Sequence, residues 1–118
     1  MAKVLIIEDT SEVAEMIHFV LTAHSHEIEI AYSTQEAFQK IIAFAPDILV
    51  LDVWLGSGNG KDLCKEIRKF NKKIPIILMS ANAALLHDYE ICEANDILEK
   101  PFDISVLLDK INKLLIKL

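Results

Sequence analysis

The fold of this chain is decided by the stretch VLIIED at residues 4–9, in which four apolar residues run directly into two carboxylates. Three stretches further along the chain have the same form. They are ILVLD at residues 48–52, IILMS at residues 76–80 and ILEKP at residues 97–101. Short apolar runs that end at polar residues or turn signals are typical of buried strands. We therefore predict four buried strands whose last residues are polar.

Amphipathic helices are predicted between these strands. After the first strand, apolar residues recur at helical spacing and form one face, made of Val13, Met16, Ile17, Val20 and Leu21. The segment 27–31 alternates weakly and indicates a further, less buried strand. Ser33 and Glu36 then form a capping box at the start of the second helix.

The second half of the chain continues the alternation. All three glycines fall within residues 56–60, which indicates a loop. Leu63, Ile67 and Phe70 are predicted to face the core from the third helix. Residues 83 to about 93 are predicted as a less regular fourth helix, and Asp103 is placed to cap a fifth helix that carries a full apolar stripe.

Strands that alternate with amphipathic helices predict a five-stranded parallel sheet covered on both faces. Right-handed crossovers make a doubly wound α/β sheet the simplest closure. Such sheets bind ligands beyond the carboxyl ends of the strands, at the point where the strand order reverses. The polar strand ends fall at that edge, so sequence pattern and fold rule indicate the same site.

Composition sets limits on the class of protein. The 118 residues are predicted to form one domain, residues 1–118. A net charge of −6 argues against non-specific binding to nucleic acids and against binding to anionic membranes. The longest apolar strand run is too short to span a bilayer, and no secretion signal is evident. Cys64 and Cys92 lack metal-ligand spacing, so we interpret them as reduced core thiols of a cytoplasmic protein.

The predicted edge of the sheet collects three carboxylates, which repel one another unless a cation neutralises them. Mg²⁺ accepts one or two carboxylates and leaves room for phosphate oxygens. Asp9 and Asp52 are the predicted direct ligands, and Glu8 is predicted to act directly or through water. Lys100 could pair with Asp52 or with an incoming phosphoryl oxygen, for which Ser80 offers a hydroxyl.

Asp52 is a plausible phosphoryl acceptor, because carboxylates act as nucleophiles in aspartyl-phosphate chemistry. Catalysis at such a site is mostly positioning and charge neutralisation.

With these residues in this order, the whole chain resembles the receiver domain of bacterial two-component response regulators. The resemblance implies a flavodoxin-like (βα)5 fold with strand order 2-1-3-4-5. It implies that Asp52 is the phosphoacceptor, that Glu8 and Asp9 hold Mg²⁺, and that the backbone carbonyl of Trp54 completes the metal shell. Ser80 would be the switch hydroxyl, and Lys100 would bind the phosphoryl group. The peptide bond between Lys100 and Pro101 is expected to be cis.

The chain departs from the family pattern at three places. Ile97 stands where the family usually carries an aromatic residue, and an isoleucine cannot swing a ring between pocket and surface. Gly56 stands where a proline often follows the phosphoacceptor loop. A glycine expected near Glu93 is absent, and Asn95 is the predicted left-handed residue in its place.

Two further features have two interpretations each. The Trp54 side chain is a partly buried loop anchor, a group that restricts water beside the phosphoryl site, or both, since the two interpretations do not exclude each other. The six basic residues around the third helix form either a solvated outer face or a docking patch for a partner; they are Lys61, Lys65, Arg68, Lys69, Lys72 and Lys73.

Our leading hypothesis is a stand-alone receiver that takes a phosphoryl group from a phosphohistidine on a histidine kinase or histidine phosphotransfer protein. Its output would be contact with an unknown downstream protein, unless the chain is part of a longer protein. It is not an enzyme in the ordinary sense, since it assists only its own phosphorylation and dephosphorylation. The alternative, motivated by Ile97, is an adaptor that binds partners independently of phosphorylation. A homodimer through the fourth helix, fifth strand and fifth helix is also predicted as an option.

Two other classes fit poorly. An FMN carrier needs a phosphate-binding loop after the first strand, where Glu8 and Asp9 would repel the ligand. An aspartyl phosphatase needs a general-acid aspartate two residues beyond the nucleophile, where Trp54 stands.

Overall fold

The computed structural model describes residues 2–56 and 58–116. Within them strands and helices alternate along the chain. The strands are β1 (Lys3–Ile7), β2 (Glu27–Ala31), β3 (Ile48–Asp52), β4 (Ile76–Ser80) and β5 (Asp96–Glu99). The α-helices are α1 (Ser11–Ala23), α2 (Thr34–Phe44), α3 (Gly60–Phe70) and α4 (Ile104–Ile116).

All five strands pair in parallel in the order β2-β1-β3-β4-β5. The doubly wound parallel sheet and its strand order are therefore confirmed. The register places Ile7 beside Leu51 and Asp52 beside Met79, so the strands end at one common edge. Every polar residue at the end of an apolar run consequently lies at this edge.

The sheet is packed on both faces, because side chains along each strand point alternately to opposite sides. Leu5, Leu49 and Leu78 belong to the core that includes residues of α2 and α3. Ile6, Val50 and Ile77 belong to the core that includes residues of α1 and α4. All six are fully buried. Burial of each side chain contributes roughly 1.5–3 kcal/mol, and this double burial explains the uninterrupted apolar runs.

The helices follow the predicted faces with two exceptions. Ser33 caps α2, and its hydroxyl oxygen accepts a hydrogen bond from the Glu36 backbone N–H at 3.2 Å. Ile17 and Leu21 of α1 are buried, but Met16 is 53% exposed because the buried face of α1 centres on Ala14, Ile17 and Leu21. Phe70 is 58% exposed at the end of α3, so its placement in the core was wrong.

The predicted fourth α-helix is also wrong. Residues 83–93, here called the turn segment, contain a 3₁₀-helix at Ala83–Leu86 followed by turns. Backbone hydrogen bonds in these turns join residues three apart, as in the 3.0 Å bond from the Ile91 N–H to the Asp88 carbonyl. Such bonds build 3₁₀ geometry, which rarely extends beyond one turn.

The left-handed residue that ends the turn segment is Glu93, with φ 65°, and not Asn95. Asn95 instead uses its side-chain oxygen to accept hydrogen bonds from the Ile76 N–H at 2.8 Å and the Arg68 guanidinium at 2.9 Å. The amide therefore fixes the start of β4.

The glycine-rich stretch after β3 forms a small hairpin, in which Trp54–Leu55 pairs antiparallel with Gly58–Asn59. The hairpin leads directly into α3, where the Asn59 side chain accepts the Lys61 N–H at 2.7 Å. Among the residues described, no helix is both long and apolar enough to cross a membrane.

Candidate functional site

Glu8 lies directly after β1, and its side chain is completely buried. The Glu8 backbone N–H donates to the Ala31 carbonyl at 3.0 Å, which holds the residue at the end of the sheet. Glu8 Oε2 accepts the Thr10 backbone N–H at 3.2 Å. One backbone hydrogen bond therefore holds the main chain of Glu8, and another orients its buried carboxyl group.

Asp9 and Asp52 bring two more carboxylates to the same place. Asp9 is exposed and its Oδ2 accepts the Gly56 N–H at 2.6 Å. Asp52 is 6% exposed, and its Oδ1 accepts the Trp54 N–H at 3.2 Å. Glu8, Asp9 and Asp52 each offer one oxygen, and these oxygens lie within 4.8 Å of one another. The predicted acidic cluster is thus present in the structure.

Lys100 places one ammonium group among these carboxylates. Its Nζ donates to Asp52 Oδ2 at 2.7 Å and also to Glu8 Oε1. The side chain is only 19% exposed. Three carboxylates against one ammonium leave an excess of negative charge, which favours binding of a further cation.

The burial of this cluster shifts the pKa of two of its members. Burial, reinforced by the hydrogen bond with Asp52, raises the pKa of Glu8 from 4.5 to about 7, although Lys100 opposes the shift. Burial alone would lower the pKa of Lys100, but the hydrogen bonds to Asp52 and Glu8 outweigh it and raise that pKa. Lys100 therefore keeps its positive charge at neutral pH, while Glu8 can exchange a proton near neutral pH.

Ser80 ends β4 and is 1% exposed. Its hydroxyl oxygen accepts the Asn82 N–H at 3.0 Å, and its carbonyl accepts the Lys100 N–H at 2.9 Å. The second bond joins the end of β4 to the residue that carries the ammonium. The Lys100–Pro101 peptide bond is cis, as the resemblance predicted.

Trp54 follows Asp52 by two residues, and its side chain is 66% exposed. The interpretation as a partly buried anchor is therefore wrong. Its backbone N–H binds Asp52, so the residue helps to orient the carboxylate through the main chain. The role of its carbonyl as a metal ligand stays a prediction.

The donor set fits a hard divalent cation, because Mg²⁺ takes carboxylate oxygens and retains water. Glu8 and Asp52 each accept a hydrogen bond from Lys100 with one carboxylate oxygen, and Asp9 is the exposed member of the cluster. Glu8, Asp9 and Asp52 are therefore the residues that would hold such a cation.

Several groups at this edge could not be found from the sequence. The N–H groups of Thr10, Trp54 and Gly56 orient the carboxylates, but main-chain donors leave no signature in residue type. An apolar cavity of about 420 Å³ lies beside Lys100 and is lined by Val13, Met16, Ala81, Lys100, Pro101 and Phe102. Met16 lines this cavity and is exposed, whereas its helical spacing had assigned it to the core.

Comparison with known proteins agrees with this geometry. The family model of the response regulator receiver domain matches residues 4–112. The response regulator ArlR of Staphylococcus saprophyticus is 32% identical, over 98% of this chain and 53% of its own length.

Solved structures agree as well. The receiver domain of the Francisella response regulator 1452 has a TM-score of 0.91 at 27% identity, covering 99% of this chain and 98% of its own. A two-component response regulator from Clostridium difficile has a TM-score of 0.90 at 27% identity, covering 98% of this chain and 96% of its own.

The fold, the acidic edge of the sheet and the family match thus define a signalling receiver module of the doubly wound α/β class. The chain belongs to the response regulator receiver domain family of two-component signal transduction. It spans about half the length of the curated relatives that it matches.

Proposed function

We propose that this chain accepts a phosphoryl group on Asp52, with Mg²⁺, from a phosphohistidine of a histidine kinase or histidine phosphotransfer protein. One observation carries the proposal: the Lys100 ammonium binds Asp52 and Glu8 within a cluster of three carboxylate oxygens. A cluster with this excess of negative charge is unfavourable in an inert protein. It is useful where a cation and a phosphoryl group bind together.

The chemistry is an in-line displacement at phosphorus. A carboxylate oxygen of Asp52 forms the new P–O bond while the P–N bond to the donor imidazole breaks, and the imidazole leaves with the bonding electron pair. Lys100 lies within hydrogen-bond distance of Asp52 Oδ2, so it can follow the phosphoryl oxygens during transfer. Bound Mg²⁺ would supply charge neutralisation for the acidic cluster and the transferred group, held by Glu8, Asp9, Asp52 and the Trp54 carbonyl.

Ser80 would act as the switch in the protein's response. Its hydroxyl accepts the Asn82 N–H at the start of the turn segment. A hydroxyl drawn toward the phosphoryl group would give up this bond and release the start of the segment. The signal would then pass to a downstream protein through surface contacts, in the cytoplasm, without turnover of another substrate.

A homodimer through the turn segment, β5 and α4 would be one form of this output. Ile91 is 70% exposed and Val106 is 43% exposed on these elements. Sedimentation before and after phosphorylation tests the dimer, which we expect to be favoured by phosphorylation.

Incubation with acetyl phosphate, with and without Mg²⁺, tests the proposal when intact mass and Trp54 fluorescence are read together. We expect a Mg²⁺-dependent gain of one phosphoryl group that Asp52→Asn abolishes. Asp47→Asn is a matched control, because Asp47 is an exposed aspartate that precedes β3 at the opposite end of the strand. It should leave the gain unchanged.

No gain of mass and no fluorescence response to Mg²⁺ would contradict the proposal. The adaptor that binds partners independently of phosphorylation would then be the better hypothesis. Ile97 supports that alternative, because it is a half-buried aliphatic side chain packed against the core.

A further inference from the structure

Two buried cysteines lie next to each other in the core and are not members of the acidic cluster. Cys64 on α3 is fully buried, and Cys92 near the end of the turn segment is 2% exposed. The Cys64 thiol donates to the Cys92 carbonyl oxygen at 3.1 Å, although 28 positions separate the two residues in the chain. The Cys92 thiol donates to the Tyr89 carbonyl at 3.3 Å. Neither sulfur takes part in the proposed phosphoryl transfer.

The two thiols also influence each other's ionisation. Hydrogen bonding between them lowers the pKa of Cys92 to about 7, while burial opposes the shift. The same hydrogen bond, together with burial, raises the pKa of Cys64. The contact thus makes Cys92 the better thiolate and leaves Cys64 as a protonated neighbour. An ordinary buried cysteine is inert because burial keeps it protonated.

The turn segment, which carries Cys92, is held by few buried side chains close to that residue. Glu90, Ile91 and Glu93 on either side of Cys92 are exposed. The turns are closed by backbone hydrogen bonds between residues three positions apart, such as the bond from the Glu93 N–H to the Glu90 carbonyl at 3.1 Å. Segments with exposed backbone bonds and few buried side chains open locally at low free-energy cost. A small molecule can reach Cys92 when the turn segment opens.

We propose that Cys64 and Cys92 are a redox-active pair, which a hydroperoxide converts to an intramolecular disulfide that tethers α3 to the turn segment. Transient disulfides with a sensing role are the kind that occurs in reducing compartments. The pair is a modification site separate from Asp52.

The reaction balances with hydrogen peroxide as the oxidant. The Cys92 thiolate attacks the O–O bond, forming an S–O bond and releasing hydroxide, so Cys92 becomes a sulfenic acid. The Cys64 sulfur then attacks the Cys92 sulfur, the S–S bond forms as the S–O bond breaks, and the leaving hydroxide takes the Cys64 proton to become water. In total two thiols lose two electrons and two protons, and the peroxide is reduced to two molecules of water.

The disulfide would restrict the part of the chain that follows the switch residue Ser80. A covalent link from α3 to Cys92 prevents the turn segment from opening. Amide hydrogen exchange in residues 87–94 should therefore slow in the oxidised chain.

The test is to expose the folded 118-residue chain to hydrogen peroxide, alkylate it under denaturing conditions and map its peptides. We expect loss of both free thiols, a peptide linking Cys64 to Cys92, recovery of the thiols with dithiothreitol, and no covalent dimer. Cys64→Ser should instead leave Cys92 as a sulfenic acid that a dimedone probe captures. Cys92→Ser should leave Cys64 largely unmodified.

Circular dichroism before alkylation tests whether each variant is folded. If a serine variant is unfolded, the alanine variant at the same position, Cys64→Ala or Cys92→Ala, takes its place. Both thiols remaining free, or intermolecular dimers in place of the internal link, would overturn the proposal. Equal trapping of Cys64 and Cys92 by dimedone in the single variants would also overturn it. None of these readouts depends on phosphorylation, so failure here is distinguishable from failure of the phosphoacceptor function.

Discussion

Among single residues, Glu8 has the most unusual environment, because a carboxyl group with no solvent exposure faces Asp52 and Lys100. The raised pKa means that the folded chain binds a proton at Glu8 more tightly than the unfolded chain does. The contribution of Glu8 to stability is therefore fully present below about pH 4.5. It is lost as the pH rises toward and through about 7.

Glu8→Gln tests this assignment in a metal-free buffer. Glutamine resembles the protonated carboxyl, so we expect equal stability near pH 4.5 and a variant more stable than the native chain by about 1–3 kcal/mol above pH 7. Urea unfolding across this pH range measures the difference. Glu15→Gln, at an exposed position on α1, is the control. Stability curves for the native chain and Glu8→Gln that stay parallel with pH would contradict the assignment.

Residue type and position alone were enough to find the polar side chains that the fold gathers at one edge of the sheet. Glu8, Asp9, Asp52, Ser80 and Lys100 each follow or end an apolar run, and that pattern survives without any knowledge of the fold. The pKa shifts of these side chains could not be predicted from the sequence, because they depend on distances between residues as far apart in the chain as Glu8 and Lys100.

Among the elements, α3 shows how closely the main chain approaches the site. A Cβ atom added at Gly60 would lie 2.0 Å from the Asp52 carbonyl oxygen. The Gly60 N–H also donates to the Val53 carbonyl at 2.7 Å, which fixes the start of α3 against the end of β3. A glycine is required here by close approach of two backbone segments.

Gly60→Ala should destabilise the chain by about 2–4 kcal/mol, because backbone atoms cannot yield as a flexible side chain can. Gly58→Ala is the matched control in the same hairpin, where the new Cβ would lie 3.5 Å from Thr34 Cγ2, an ordinary contact. Its effect should stay within about 1 kcal/mol. Thermal unfolding followed by circular dichroism measures both, and similar losses for the two variants would refute the argument.

Arg68 on the same helix corrects the interpretation of the basic residues as a solvated face. It is 4% exposed, and its guanidinium donates to the Glu93 carbonyl at 2.9 Å, the Asn71 carbonyl at 3.1 Å and the Asn95 side chain at 2.9 Å. One side chain therefore joins α3 to the turn segment and to the residue before β5.

Arg68→Met should cost about 2–4 kcal/mol, because the partners of a buried charged donor lose their hydrogen bonds. Lys69→Met is the control from the next position, where the ammonium is exposed and pairs with Glu66 at 2.9 Å; its effect should stay within about 0.5 kcal/mol. Urea unfolding gives both values. Hydrogen exchange should accelerate around residues 87–95 in Arg68→Met alone, and an unchanged exchange pattern would count against the anchoring role.

For the whole molecule, binding of Mg²⁺ at the edge of the sheet should stabilise the fold, since a ligand that binds only the folded chain shifts the unfolding equilibrium. We expect a gain of about 1–3 kcal/mol at saturating Mg²⁺. The gain should be smaller at pH 6 than at pH 8, because a metal ligand must lose its proton and Glu8 carries a raised pKa.

Asp9→Asn should remove most of this gain, while Asp47→Asn should retain it. Differential scanning fluorimetry with and without Mg²⁺ measures the shift in melting temperature. An equal shift in both variants would place the cation away from the acidic cluster.

The sequence by itself determined the parallel, doubly wound sheet and the position of the polar side chains at its edge. The reason is that a buried strand needs an uninterrupted apolar run, and the polar residue after the run marks where the strand ends. Tertiary structure alone decided which polar side chains become partners. Arg68 resembles its lysine neighbours in sequence, and only the carbonyl groups gathered around it in the fold make it an anchor. The turn segment likewise is held by contacts that sequence pattern does not reveal, since the carbonyl groups of Cys92 and Glu93 accept hydrogen bonds from Cys64 and Arg68 of α3. Local sequence pattern determines the helices and strands whose buried residues recur at a regular spacing. Contacts between residues distant in sequence determine which side chains pair.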